Sequence, residues 1–265
     1  MPRDLQHELD DQATAQTLES MPGLSTQSTS LNMATSESED LYYDTEEQQI
    51  EGVRVYPKAL TLSDLDACCI LEDTAFPPEQ RCSREKFIYR LTVAPELCHG
   101  LFTTASPDYE PQHLKTAETA KAACSVESSS PRKQILIAHA IGTLSTNNTV
   151  LDEDMALPPG WNDASVPKDP KLGHKPEGRV AMLHSLAVLP SYQGKHIGST
   201  LLKGYIDLLR ASGNYDRLAL LADDHHVKFY EKHGFTNLGP SKAGFGGVSW
   251  NDMVLDFKHG AAAHD

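Results

Sequence analysis

Seven consecutive residues, Gln193-Gly194-Lys195-His196-Ile197-Gly198-Ser199, have the composition of an anion-binding turn. Glycines let backbone N–H groups approach a ligand closely. Just beyond them an apolar repeat begins, with Leu201, Leu202, Tyr205, Leu208 and Leu209 at 3.6-residue spacing. A turn that runs into a helix sets unbonded first-turn N–H groups, and the partial positive charge of the helix end, against whatever the turn holds. That chemistry suits a phosphate or pyrophosphate. Two familiar phosphate loops are excluded, because neither G-x-x-x-x-G-K-[ST] nor G-x-G-x-x-G occurs in the chain.

The turn has to be positioned by its neighbours. Before it, Val180, Met182, His184, Leu186 and Val188 alternate with Ala181, Leu183, Ser185 and Ala187. Both sets are mostly apolar, as in a strand covered on both faces. Pro190 ends that strand. His184, on an apolar face, reads from the residues alone as a satisfied core histidine, and Tyr230, beside Phe229 on a helix, reads as packing.

The rest of the chain predicts a mixed, layered α/β domain. Glu51 to Lys58 reads as a first strand. Ser63 reads as an N-cap, with Asp66 three residues on, opening a helix to Ala75 that Phe76-Pro77-Pro78 breaks. Ser83 caps a second helix, which ends before Pro95. Strands follow over Leu97 to Thr104, Gln134 to Leu144 and, after the central strand and helix, Arg217 to Ala222. Asp224 opens a helix that carries Val227 to Tyr230 and stops at Gly234. Phe235 to Gly239 and Val248 to Phe257 close the sheet. Residues 105–133 and 145–176 read as surface insertions, since compact domains rarely hold structureless loops of that length. The second could equally be a substrate lid or a plain loop.

The 265 residues carry a formal charge of −14, and residues 1–50 hold eleven Asp/Glu against one Arg. This acidic, Ser/Thr-rich start cannot bury enough apolar surface to offset its ordering entropy, so residues 1–50 are expected to be a disordered tail. A regulatory partner for that tail is the alternative to a solvated linker. Residues 51–258 are expected to form the domain and 259–265 a flexible end. No signal sequence and no stretch of about 18 apolar residues occurs, so a cytoplasmic chain without a membrane anchor is expected. The five cysteines (Cys68, Cys69, Cys82, Cys98, Cys124) lack C-x-x-C spacing, and the twelve histidines form no H-E-x-x-H string, so no metal is expected. The absence of a basic stripe argues against nucleic acid.

The strings EDTAFPPE, APELCHGLF, LHSLAVLP, QGKHIGSTLL, FYEKHGF and GGVSWNDMVL, in that order across Val53 to Phe257, resemble the GNAT acetyltransferase superfamily. Within it they are most similar to the arylalkylamine (serotonin) N-acetyltransferases and their fungal polyamine-acetylating relatives. The resemblance implies the GNAT fold, a mostly antiparallel twisted sheet flanked by helices, with acetyl-CoA as cosubstrate and a small primary amine as acceptor. It implies that the backbone of Leu186, Ala187 and Val188 pairs with the pantetheine arm, with the Leu186 N–H on the thioester carbonyl. The amides of Gln193, Gly194, Lys195, His196, Ile197, Gly198 and Ser199 would hold the pyrophosphate. His184 matches a histidine that acts on the amine's proton, and Tyr230 a tyrosine that faces the coenzyme sulfur. Phe76, Leu221, Phe245, Val248 and Trp250 fall at amine-pocket positions. The chain departs from the pattern twice: His196 replaces a glycine, and Met182 replaces the first histidine of an H-x-H pair. A CoA-binding sensor without turnover and a protein lysine or N-terminal acetyltransferase are the alternative readings.

Overall fold

The computed structural model describes residues 48–50, 53–105 and 133–257. Most of the expected tail, the first insertion, Cys124 and the C-terminal end lie outside the described residues. Within them runs one eight-stranded sheet. Its strands, in chain order, are β1 (Gln48–Ile50), β2 (Val53–Ala59), β3 (Cys98–Ala105), β4 (Lys133–Ser145), β5 (Val180–Val188), β6 (Arg217–Ala222), β7 (Thr236–Pro240) and β8 (Asn251–Asp256). In space they lie in the order β1-β2-β3-β4-β5-β6-β8-β7. Gln48–Ile50 pairs with Val53–Val55, so the sheet reaches three residues into the segment expected to be tail.

Every neighbouring pair is antiparallel except β5 and β6. Those two run parallel and touch only from Val180↔Arg217 to Leu183↔Leu220. β5 continues for five more residues while staying paired with β4 as far as Val188↔Ala138. The two central strands therefore part beyond Leu183. Between Leu183↔Gly142 and Ser185↔Ile141 the β4–β5 register slips, and His184 is the residue without a partner. Such a bulge re-aims a side chain and bends the strand.

Helices α1 (Leu65–Ala75) and α2 (Arg84–Val93) precede β3, and α3 (Asp152–Met155) is a single turn. The crossover between β5 and β6 is α4 (Ile197–Ser212), and α5 (Val227–Lys232) follows β6. α4 buries Ile197, Leu201, Leu202, Tyr205, Ile206 and Leu209, one apolar stripe against the sheet. Gly213, at φ 65°, ends it, as Gly234 at φ 90° ends α5. Two expected caps move. The chain enters α1 through a 3-10 turn, Leu62–Asp64, and this shifts the cap upstream to Thr61. Thr61 Oγ1 accepts from Ser63 N–H and Asp64 Oδ2 accepts from Thr61 N–H (3.0 Å). At α5 it is Asp223 rather than Asp224 that holds the entering chain, accepting from His226 N–H at 3.0 Å.

Residues 145–176 are packed, although they carry little regular structure. Asp154 accepts from Ser145 Oγ (2.6 Å), Asn147 Nδ2 (3.0 Å) and Leu151 N–H (2.9 Å). Lys175 donates to the carbonyls of Lys171 and Gly173. Val150 and Met155 join Val180, Met182, Ala219, Ala243 and Val254 in a second apolar cluster beside the main core. The segment is a wall of the domain. No helix among the described residues is long and apolar enough to cross a membrane.

Candidate active site

A cavity of about 690 Å³ opens where β5 and β6 part. That is an ordinary size for a small-molecule site. Its floor is the β5 run Leu183 to Val188, and one wall is the turn into α4. Gln193, Gly194, His196, Ile197, Gly198 and Ser199 all line it. Lys195 does not; its Nζ lies over the Tyr192 ring, 5.4 Å from the centroid. The first axial hydrogen bond of α4 is Thr200 N–H to His196 O (2.9 Å). The amides of Ile197, Gly198 and Ser199 precede it and project from the helix end. Gly194 (φ 73°) and His196 (φ 58°) make the turn with left-handed backbone. His196 is the single non-glycine residue with positive φ among the described residues. Gln193 closes the corner by donating from Nε2 to the Val188 carbonyl (3.0 Å).

His184 and Tyr230 both reach this cavity. The bulge turns His184 toward Thr143, whose Oγ1 lies 2.7 Å from Nε2, while the buried Nδ1 has no partner. Burial holds the imidazole well below its usual pKa, and the charges of Arg90 and Lys86 push it the same way. The ring is neutral at pH 7. Tyr230 stands on α5, edge-on to Phe229 and Phe235 at 5.1 and 5.6 Å. Burial raises its phenol well above the ordinary tyrosine range, and Asp223 adds to the shift. Tyr230 therefore keeps its proton and can donate a hydrogen bond.

Phe76, Leu221, Phe245 and Trp250 line the other end with Val150 and Met155 of the 145–176 segment. Trp250 is fixed by its indole N–H to the Phe245 carbonyl (2.7 Å). Val248 does not line the cavity and is exposed. Met182 is fully buried in the second apolar cluster, so the first position of the H-x-H pair is filled by packing.

Sequence reasoning missed a polar cluster in the same wall. Glu72 of α1, His139 of β4 and Ser185 of β5 are all buried. Ser185 Oγ donates to Glu72 Oε2 at 2.7 Å. His139 Nε2 lies 3.1 Å from that oxygen and 3.0 Å from Ser185 Oγ. Glu72 Oε1 accepts from Cys82 N–H (2.8 Å). Burial alone raises the Glu72 carboxyl, but the hydrogen bond and electrostatic attraction of His139, with the Ser185 and Cys82 hydrogen bonds, outweigh it, and its pKa falls below the usual range. At the mouth, Asp223 pairs with His226 Nδ1 at 2.8 Å. A carboxylate on a predicted helix carries no signal of its own. Only the register of three separate elements shows that these residues meet.

Comparison with known proteins gives the arrangement its context. Residues 160–235 match the Acetyltransferase (GNAT) family. The serotonin N-acetyltransferase of Mesocricetus auratus is 32% identical over 98 residues, covering 37% of this chain and 47% of that protein. The Macaca mulatta enzyme is 29% identical over 118 residues, covering 44% and 50%. The chain thus spans about half the length of the curated relatives it matches. Among solved structures, the loading GNATL domain of CurA from Lyngbya majuscula superposes with a TM-score of 0.51 at 12% identity, over 77% of this chain and 98% of that one. The fold expected from the sequence, a mostly antiparallel sheet of GNAT type, is the fold observed.

Proposed function

We propose that this chain, which has a GNAT-type fold and matches the Acetyltransferase (GNAT) family over residues 160–235, transfers acetyl from acetyl-CoA to the primary amine of a small molecule, an arylalkylamine or a polyamine. One observation carries the reading. The one parallel strand pair among the described residues parts beyond Leu183, beside the first-turn amides of α4. A split sheet offers main-chain groups on β5, and the helix end offers N–H groups that line the same cavity. The residues present fit an acyl-CoA. The main chain of Leu186 to Val188 takes the pantetheine, the amides of Gln193 to Ser199 take the pyrophosphate, and the Leu186 N–H polarises the thioester carbonyl. Acetyl-CoA supplies the activated acyl group.

The protein's own residues must manage protons. An alkylamine has a pKa of about 10.4, and only its neutral form attacks, so deprotonation at pH 7 costs about 4–5 kcal/mol. A dry, apolar pocket of Phe76, Phe245 and Trp250 lowers that cost by destabilising the ammonium form. His184, neutral throughout the physiological range, is free to accept a proton. The amine nitrogen then bonds to the acyl carbon, the C–S bond breaks, and the second amine proton goes to the departing thiolate. Tyr230 assists without ionising. A thiol has a pKa of about 8.5 and an ordinary tyrosine about 10, so proton transfer from the phenol is uphill by about 2 kcal/mol even before burial raises it further. Its part is a hydrogen bond to the thiolate.

Release of free thiol from acetyl-CoA with tryptamine, spermine and a lysine peptide tests the proposal. A small amine should be preferred, with rate rising from pH 6 to 8. Because burial holds His184 well below the usual imidazole pKa, the rise should follow the amine, and its midpoint should move with the amine's pKa. Tyr230→Phe should lower kcat by about a hundredfold at unchanged acetyl-CoA affinity. Turnover of the peptide alone, or of no amine, overturns the reading.

A further inference from the structure

The most heavily buried polar group facing the cavity has no part in the chemistry above. Glu72 is 2% exposed and Ser185 5%, yet both line the cavity wall. The cluster is not a hydrolase triad, in which carboxylate and hydroxyl bind opposite ring nitrogens. Here both converge on His139 Nε2. A hydrogen on His139 Nε2 fits the bonds observed, with Glu72 Oε2 and Ser185 Oγ both within reach, while Nδ1 is buried without a partner.

The donors around the Glu72 carboxylate are a hydroxyl, a main-chain amide and an imidazole. No Lys or Arg nitrogen pairs with it among the described residues, and His139 is its one titratable partner. Arg90, buried on α2, turns its guanidinium toward the Cys82 thiol and the Met155 carbonyl instead. A carboxylate offers four lone-pair sites. The Cys82 N–H, the Ser185 hydroxyl and the His139 N–H occupy three. One site remains, as does a lone pair on Ser185 Oγ. Burying a carboxylate without a Lys or Arg beside it is costly, and such groups draw a cationic partner when one is available.

We propose that Glu72, held by Ser185 and His139, is the recognition site for the cationic head of the acceptor amine. Glu72 accepts an ammonium N–H on its remaining lone pair, and Ser185 Oγ accepts a second. No covalent step is involved. Glu72 captures and orients the ammonium form, and deprotonation follows elsewhere. The preference this creates is for charge. A neutral molecule of the same shape is bound less well, because it leaves the carboxylate buried and unpaired. The inference rests on the acetyl-transfer reading for the identity of its ligand as an amine.

Calorimetry of the full chain with CoA present, where no turnover occurs, separates the two. Tryptamine and its alcohol isostere, tryptophol, differ only in ammonium against hydroxyl. The wild-type chain should favour the amine by about tenfold, the value of one hydrogen bond to a charged group. Glu72→Gln, which keeps the shape and the Ser185 contact, should remove most of that preference while CoA affinity is unchanged. In turnover it should raise the amine's KM by a similar factor and leave the acetyl-CoA KM alone. Ser185→Ala keeps the carboxylate but removes the second acceptor, so the preference should shrink without vanishing, and that partial loss locates the site where Glu72→Gln fails to fold. Equal wild-type binding of amine and alcohol, or no binding of either, overturns the inference. So does an undiminished preference in Glu72→Gln, or a preference lost in Ser185→Ala. An ammonium preference without thiol release on any amine leaves Glu72 its role and removes the acetyl-transfer reading.

Discussion

At the scale of single residues, His196 shows how a departure from a pattern is accommodated. The turn into α4 needs left-handed backbone, and at φ 58° His196 supplies it with a side chain attached. The left-handed region costs an L-residue about 1–2 kcal/mol. Glycine removes that cost but returns about 0.5–1 kcal/mol through its freer unfolded chain. His196→Gly should therefore stabilise the domain by about 0.5–1 kcal/mol and raise Tm by roughly 1–4 °C. His196→Ala keeps the strain and should gain nothing. A lower Tm for the glycine variant would mean that the imidazole contributes more than its backbone costs. The turn was legible in the sequence because glycine and helix-start chemistry are local. The Glu72–Ser185–His139 cluster was not, since Glu72 and Ser185 stand 113 positions apart. Each looks ordinary among its own neighbours.

At the scale of elements, most strands and helices could be read from periodicity to within a residue or two. What periodicity does not carry is the slip in β4–β5 register that leaves His184 unpaired, because one extra residue barely disturbs an apolar run. The cap of α1 was misplaced for a similar reason: a 3-10 turn ahead of the helix moves the cap without changing the composition. Gly142 sits at the slip. A Cβ there would lie 2.8 Å from Tyr205 Oη and 2.9 Å from the Met182 carbonyl. Neither atom is free to retreat: Tyr205 is buried and bonded to the Leu97 carbonyl, and Met182 is backbone of the central strand. Gly142→Ala should cost about 1–3 kcal/mol, the usual range for overpacking, and lower Tm by roughly 2–12 °C. Gly204, on the exposed face of α4, has nothing within 4 Å of the same added atom. Gly204→Ala should instead stabilise by about 1 kcal/mol. Opposite signs for one chemical change in two melts would confirm that the slip, and not glycine content, sets the tolerance. A neutral Gly142→Ala would show that β5 can shift, and that His184 is not rigidly placed.

At the scale of the whole molecule, buried and half-buried histidines tie stability to pH. His99, His174 and His184 are each held below the usual imidazole pKa, chiefly by burial, with Arg90 and Lys86 adding to the effect at His184. Below about pH 6.5 the unfolded chain takes up protons that the folded chain refuses, so acidification favours unfolding. The stabilisation is complete above that pH and is lost as pH falls. With His99 and His184 the slope is about 1.4–3 kcal/mol per pH unit, and half-exposed His174 adds less. Glu72, whose folded pKa is lowered, extends the loss when pH drops through the carboxylate range. Net charge acts in the other direction, because acid relieves self-repulsion in a chain of formal charge −14. That relief is small for the folded domain, because residues 1–50 contain eleven of the acids and a single Arg. Exposed charges are also screened beyond about 8 Å at 0.15 M salt. The histidine contribution should therefore dominate. Urea unfolding at pH 7.5, 6.5 and 5.5, repeated at low and high salt, should show stability falling toward acid at both salt levels. Stability that is level or climbs toward pH 5.5 would mean that the imidazoles of His99, His174 and His184 protonate in the folded chain, and His184 would then titrate in the range where the amine rate profile is read.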